Sequence, residues 1–137
     1  MIAARATQDQ ETAKVAHVLI VEDDPDVLQM MEDVLRLEGY STETARNGAE
    51  ALERTRQRRP CLVLLDLMMP VMDGWTFRKR QLADPVISDV PVLCVTAAGR
   101  HMLLEDQLKA PCLSKPVNFD ALIRALAEQC GPAVRES

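Results

Sequence analysis

No stretch of the 137-residue chain approaches the roughly 18 consecutive apolar residues that a membrane-spanning helix needs. The N-terminus carries mixed charge where a signal peptide would carry an apolar core, so the cytoplasm is the expected compartment. Positive charge is outnumbered, with 16 Lys and Arg against 21 Asp and Glu. A net charge of −5 invites neither nucleic acid nor an anionic membrane surface, whereas divalent cations suit it. There is no G-x-G-x-x-G and no G-x-x-x-x-G-K-[ST], which removes the usual supports for nucleotide binding. Cys61, Cys94, Cys112 and Cys130 form no C-x-x-C pair and fall in or beside expected buried elements, so they are read as free structural thiols. What remains is one folded domain: 47% hydrophobic content is ordinary for a globular core, and a second domain has no room.

The chain is organised around Leu62 to Gly74, L-V-L-L-D-L-M-M-P-V-M-D-G. A continuous aliphatic run bounded by turn residues reads as a strand buried on both faces, the kind found in parallel sheets. Asp66 stands where that strand ends. Before it, residues 1–16 are polar and lack periodicity, and are read as a disordered or loosely ordered tail. His17 to Val21 is a first strand ending in Glu22, Asp23 and Asp24. Asp24 is placed to cap a helix opened by Pro25, whose apolar face is Val27, Met30, Met31, Val34 and Leu35 and whose stop is Gly39. A weaker, more exposed strand follows over Tyr40 to Ala45, then a helix over about Ala49 to Arg58. The arginines at its end, Arg54, Arg56, Arg58 and Arg59, could be a phosphate patch. The favoured reading is that they complement the helix dipole and stay solvated.

After the central strand, Trp75 to Leu82 reads as a short helix and Val92 to Val95 as a fourth strand, followed by Thr96. A poorly patterned helix spans about His101 to Leu108. Pro111 to Ser114 is a brief edge strand, followed at once by Lys115-Pro116. A last helix, capped by Asn118, presents Phe119, Leu122, Ile123, Leu126 and Cys130 before Gly131 stops it. Folded residues thus run over 17–130, with a tail at 131–137. Strands alternating with helices argue for an α/β, doubly wound parallel sheet covered on both faces.

The strand ends carry the chemistry. In open α/β sheets ligands bind outside the carboxyl ends of the strands. If those ends converge, Glu22, Asp23 and Asp66 meet Thr96 and Lys115. Crowded carboxylates need a compensating cation, and oxygen-only donors select Mg²⁺ or a similar ion. A carboxylate so placed can act as a nucleophile and form an acyl phosphate, with hydroxyl and ammonium binding the phosphoryl oxygens. A helix-capping or turn role for Asp66 is the plainer alternative.

The acidic pair after the first strand, D-L-M-M-P-V-M-D-G, T-A after the fourth strand and K-P after the fifth together resemble the receiver domain of two-component response regulators. The resemblance covers about Ala16 to Gln129. It implies a flavodoxin-like five-stranded sheet in the order 2-1-3-4-5, and a phosphoacceptor at Asp66 served by a sensor histidine kinase or a histidine phosphotransfer protein. It further implies Mg²⁺ (or Mn²⁺) held by Asp23, Asp66 and the Met68 backbone carbonyl, with Glu22 acting through water. Thr96 and Lys115 would engage the phosphoryl group, and the Lys115-Pro116 bond would be cis. Such a domain is a signalling module, not an enzyme in its own right. It acts on a downstream protein target without touching nucleic acid or membrane, and dimerisation on phosphorylation is open to it.

Three departures stand out. Cys112 occupies the position three before the lysine, where the family usually has Tyr or Phe. The segment from Thr96 to Lys115 is a few residues short. Met68 and Ala98 offer no polar group to orient a hydrolytic water, so phosphate loss is expected to be slow to moderate. No output domain is read after the last helix, and the chain is expected either to stand alone or to be a piece of a hybrid kinase or regulator. Two other readings compete: a receiver-like interaction module that works without phosphate, and an aspartate-dependent phosphatase. The latter lacks the second acid it would want at position 68.

Overall fold

A computed structural model describes residues 17–97 and 101–131, apart from the side chains of 101–103. Both expected tails, except Gly131, and Ala98 lie outside the described residues. The elements are β1 (His17–Val21), α1 (Pro25–Leu37), β2 (Ser41–Ala45), α2 (Gly48–Gln57), β3 (Leu62–Asp66), α3 (Gly74–Leu82), β4 (Val92–Thr96), α4 (His101–Leu108), β5 (Cys112–Ser114) and α5 (Phe119–Cys130). The sheet is parallel throughout in the order β2-β1-β3-β4-β5, as expected.

Every residue of β1, β3 and β4 is buried, which explains why these strands are continuously apolar and do not alternate. Alternate side chains serve opposite layers. Leu19, Val21, Val63 and Leu65 pack with Ala51, Leu52 and Phe77, under α2 and α3. Val18, Ile20, Leu62 and Leu64 pack with Met31, Leu35, Leu122 and Leu126, under α1 and α5. Each fully buried aliphatic side chain contributes roughly 1.5–3 kcal/mol, so this two-sided layer is what holds the strand ends in place. β2 is more exposed, and β5, at the edge, has only three residues.

Local signals behave as read. The Asp24 carboxylate accepts from the Asp26 and Val27 N–H groups at 2.9 and 3.4 Å, and Asn118 caps α5 in the same way; Asn47, not read as a cap from sequence, caps α2 likewise. Gly39 ends α1 at a φ of 96°, where a side chain would be strained. On α1 only Met31 and Leu35 are buried, and Met30 is 46% exposed. The arginines at the end of α2 form no phosphate patch: Arg54 pairs with Glu43, Arg56 with Asp84 and Arg59 with Asp89.

One expectation fails. Cys61 and Cys130 are not free thiols but form a disulfide, with Cα atoms 5.3 Å apart. In a doubly wound sheet the strands begin, and the helices end, on one edge. Cys61 immediately precedes β3 and Cys130 closes α5, so the topology brings them together. Cys94 and Cys112, partners across β4 and β5, remain free and buried.

Candidate functional site

Strand β1 ends against β2 through the Glu22 N–H, which donates to Ala45 O at 3.0 Å, and this turns the acidic run toward the end of β3. There the carboxylates of Glu22, Asp23 and Asp66 lie with one oxygen of each within 4.8 Å of the others. Glu22 and Asp66 are 3% and 6% exposed, while Asp23 faces solvent. Lys115 closes the group from β5: its Nζ stands 3.1 Å from Glu22 Oε1 and 3.6 Å from Asp66 Oδ1. The Lys115 N–H also donates to Thr96 O at 3.0 Å, tying the end of β5 to the end of β4. Thr96 itself is fully buried, and the Lys115-Pro116 bond is cis. The strand ends therefore bring the side chains of Glu22, Asp23, Asp66 and Lys115 together, with Thr96 closing the neighbouring strand β4.

Charge in this group is unbalanced, with three carboxylates facing one ammonium. Burial raises the Glu22 carboxyl above its usual range; the Lys115 hydrogen bond opposes this and the Asp66 charge adds to it. For Lys115 burial pulls downward, but the bond to Glu22 and the Asp66 charge outweigh it and hold the ammonium above its ordinary value. The excess negative charge, the absence of nitrogen or sulfur donors and one open, solvent-facing carboxylate fit a hard divalent cation such as Mg²⁺.

The loop from Leu67 to Asp73 forms the rim. Met68 donates its N–H to Asp66 Oδ1 at 3.3 Å, and its side chain is 72% exposed. Val71 has a φ of 68°, a costly conformation for a β-branched residue and one that persists only where its surroundings impose it. Val71 is the centre of a three-residue turn closed by the Met72 N–H, which donates to Pro70 O at 2.7 Å, and two glycines anchor the loop around it. The Gly48 N–H donates to Met72 O at 2.7 Å, and the Gly74 N–H donates to Leu67 O at 3.0 Å. A Cβ on Gly74 would stand 2.6 Å from Asp66 O and 2.8 Å from Leu67 Cα. Asp73 caps α3 by accepting from the Thr76 N–H at 2.9 Å. From sequence alone the Asp73-Gly74 pair reads as a turn, and its place directly before a helix is the signal for the capping role.

Cys112, in the place of the usual aromatic, is buried and donates its N–H to Glu105 Oε2 at 2.9 Å. Beneath the short α4, Arg78 donates to Leu108 O at 2.8 Å, to Lys109 O at 2.6 Å and to Gln81 Oε1 at 2.7 Å. This buried polar brace was not foreseen. It fixes the end of α4, where the segment between Thr96 and Lys115 is shortened.

A model of the response regulator receiver domain matches residues 18–127. The chain belongs to the receiver family. Among curated relatives, the transcriptional regulatory protein GlrR of Escherichia coli is 38% identical over 130 residues, covering 90% of this chain but 29% of GlrR. The polar-differentiation response regulator DivK of Brucella anthropi is 32% identical over 119 residues, covering 85% of this chain and 97% of DivK. This receiver thus spans under a third of the first relative and nearly all of the second. Among solved structures, the receiver domain of sensor histidine kinase PA1611 from Pseudomonas aeruginosa superposes with a TM-score of 0.76 at 28% identity, covering 85% of this chain and 98% of that one. That crystal structure holds a magnesium ion in its active-site cleft. Receiver domains are signalling modules that interact with histidine kinases and downstream targets. Among the described residues no helix is long and apolar enough to cross a membrane.

Proposed function

We propose that this receiver accepts a phosphoryl group on Asp66 from a phosphohistidine of a sensor histidine kinase or histidine phosphotransfer protein, in the cytoplasm. The observation that carries the reading is the meeting of Glu22, Asp23 and Asp66 within 4.8 Å, with Lys115 Nζ 3.6 Å from Asp66 Oδ1. In this reading an Asp66 carboxylate oxygen attacks phosphorus as the P–N bond to imidazole breaks, giving an acyl phosphate and a free histidine. Mg²⁺ (or Mn²⁺) would be held by Asp23, Asp66 and the Met68 carbonyl, with Glu22 acting through water; when bound, it neutralises charge on the phosphoryl oxygens. Lys115, oriented by Glu22, supplies fixed positive charge to one phosphoryl oxygen, and the Thr96 hydroxyl donates to another. The exposed, apolar Met68 side chain places no proton acceptor beside Asp66, in keeping with slow to moderate phosphate loss. Output follows by a population shift that changes affinity for a protein target, and Thr96 moves first. Because Cys112 replaces the aromatic, the next step differs from tyrosine or phenylalanine reorientation.

The test is intact-protein mass after incubation with Mg²⁺ and acetyl phosphate, for the parent chain and for Asp66→Asn. Gain of one phosphoryl group in the parent alone, abolished by a chelator, is the expected result. No gain in either chain would favour the phosphate-independent interaction module, the reading to which Cys112 lends support.

A further inference from the structure

We propose that Cys61 and Cys130 form a reversible thiol–disulfide site, a redox staple at the base of the sheet that is separate from the phosphoryl chemistry at its top. The bond closes a 69-residue separation and ties the residue before β3 to the last residue of α5. Asp66 lies at the far end of β3, and Lys115 shortly precedes α5, so both phosphoryl-site residues belong to the ring the staple closes.

The surroundings accommodate both states. Leu122 and Leu126 of α5 are fully buried against the sheet, and Tyr40 donates its hydroxyl to Gly131 O at 3.1 Å, so α5 docks without the covalent bond. Cys61 Sγ lies 3.3 Å from His17 O, an acceptor ready for its S–H in the reduced form. Cys61 and Cys130 are half-buried residues, whereas Cys94 and Cys112 are buried in the sheet. In a compartment rich in reduced thiols such a bond is cycled and does not remain as a permanent brace. The cytoplasmic placement comes from the functional reading above, but the thiol chemistry does not depend on phosphorylation.

Formation needs a low-molecular-weight disulfide as oxidant. One cysteine thiolate attacks it, forming a mixed disulfide and expelling one small thiolate. The second cysteine thiolate then attacks the protein sulfur of that mixed disulfide, closing Cys61–Cys130 and expelling the second small thiolate. The two protons given up by the protein thiols end on the two expelled thiols. Reduction runs the same steps backward.

The experiment equilibrates the full chain in reduced or oxidised glutathione, counts reactive thiols before and after denaturation, and records thermal melting. Oxidised protein is expected to show no reactive thiols when native and two when denatured; reduced protein, two and four. Reduction is expected to lower the melting temperature by roughly 5–15 °C with unchanged far-UV circular dichroism. Cys61→Ser and Cys130→Ser should each melt like the reduced parent in both buffers. A bond that survives millimolar glutathione, a count of four thiols after oxidation, a disulfide-linked dimer, or serine variants that still respond would each overturn the proposal. Acetyl phosphate labelling in the same buffers is expected to be equal. Its absence in both would count against the phosphorylation reading and leave the thiol result standing.

Discussion

Around Asp66, at one end of β3, carboxylates outnumber the ammonium that faces them, whereas toward the other end two arginines after α2 each meet one acid. At the base, Arg56 meets Asp84 and Arg59 meets Asp89, beside the covalent tie to Cys130. At the top, Glu22 and Asp66 share Lys115, and Asp23 has no share in that contact. The difference teaches where this fold keeps its stability and where it spends it. The base carries ion pairs and a covalent tie; the top holds like charges together, an excess that a bound cation would offset.

The largest way to break this contrast is Lys115→Met. It leaves two buried carboxylates facing each other and is expected to cost about 2–4 kcal/mol by urea unfolding without divalent ions. Millimolar Mg²⁺ should restore most of that loss. The matching change at the base, Arg56→Ala, removes half of an exposed pair and should leave the urea midpoint essentially unchanged, with or without Mg²⁺. Equal sensitivity at the two ends would break the comparison.

A smaller effect is expected from Gly74→Ala. The new methyl meets backbone at Asp66 O and Leu67 Cα, and neither can move without shifting the end of β3. The expected loss is about 1–3 kcal/mol, with slower acetyl phosphate labelling at saturating Mg²⁺. Labelling at the parent rate would mean that the rim does not position Asp66.

The smallest effect sharpens the base. His17 is buried 3.5 Å from Glu43 Oε1, and burial first, then the Arg58 charge, hold its imidazole below the ordinary 6.5. The unfolded chain therefore binds this proton more readily. Stability from neutral His17 is complete above about pH 6.5 and is lost as pH falls through the lowered value. In His17→Gln, urea midpoints between pH 7 and pH 5 should decline less than in the parent.

Much of this was legible because local and global signals agree. A run of four aliphatics bounded by turn residues before Asp66 reads as a doubly buried strand, and Asp24-Pro25 and Asn118 announce helix starts through their own backbone bonds. The strand-end residues converge because a parallel sheet gathers all its carboxyl ends on one edge. The same rule, applied to the opposite edge, places Cys61 and Cys130 together. That pairing is hidden in the sequence because Cys61 adjoins the apolar run of β3 and Cys130 continues the apolar spacing of α5, so both read equally well as core thiols. Arg78 was opaque for another reason: α3 buries Arg78 and Gln81 beside Phe77, so apolar spacing gives no clue to its inner face.

The most direct test of the central claim is to locate the phosphoryl group. After treatment with Mg²⁺ and acetyl phosphate, borohydride reduction converts an aspartyl phosphate to homoserine, which peptide sequencing by mass spectrometry can place. Homoserine at position 66 alone is the predicted result. Homoserine at position 23, or a stable phosphate ester on a serine or threonine with position 66 unchanged, would contradict it.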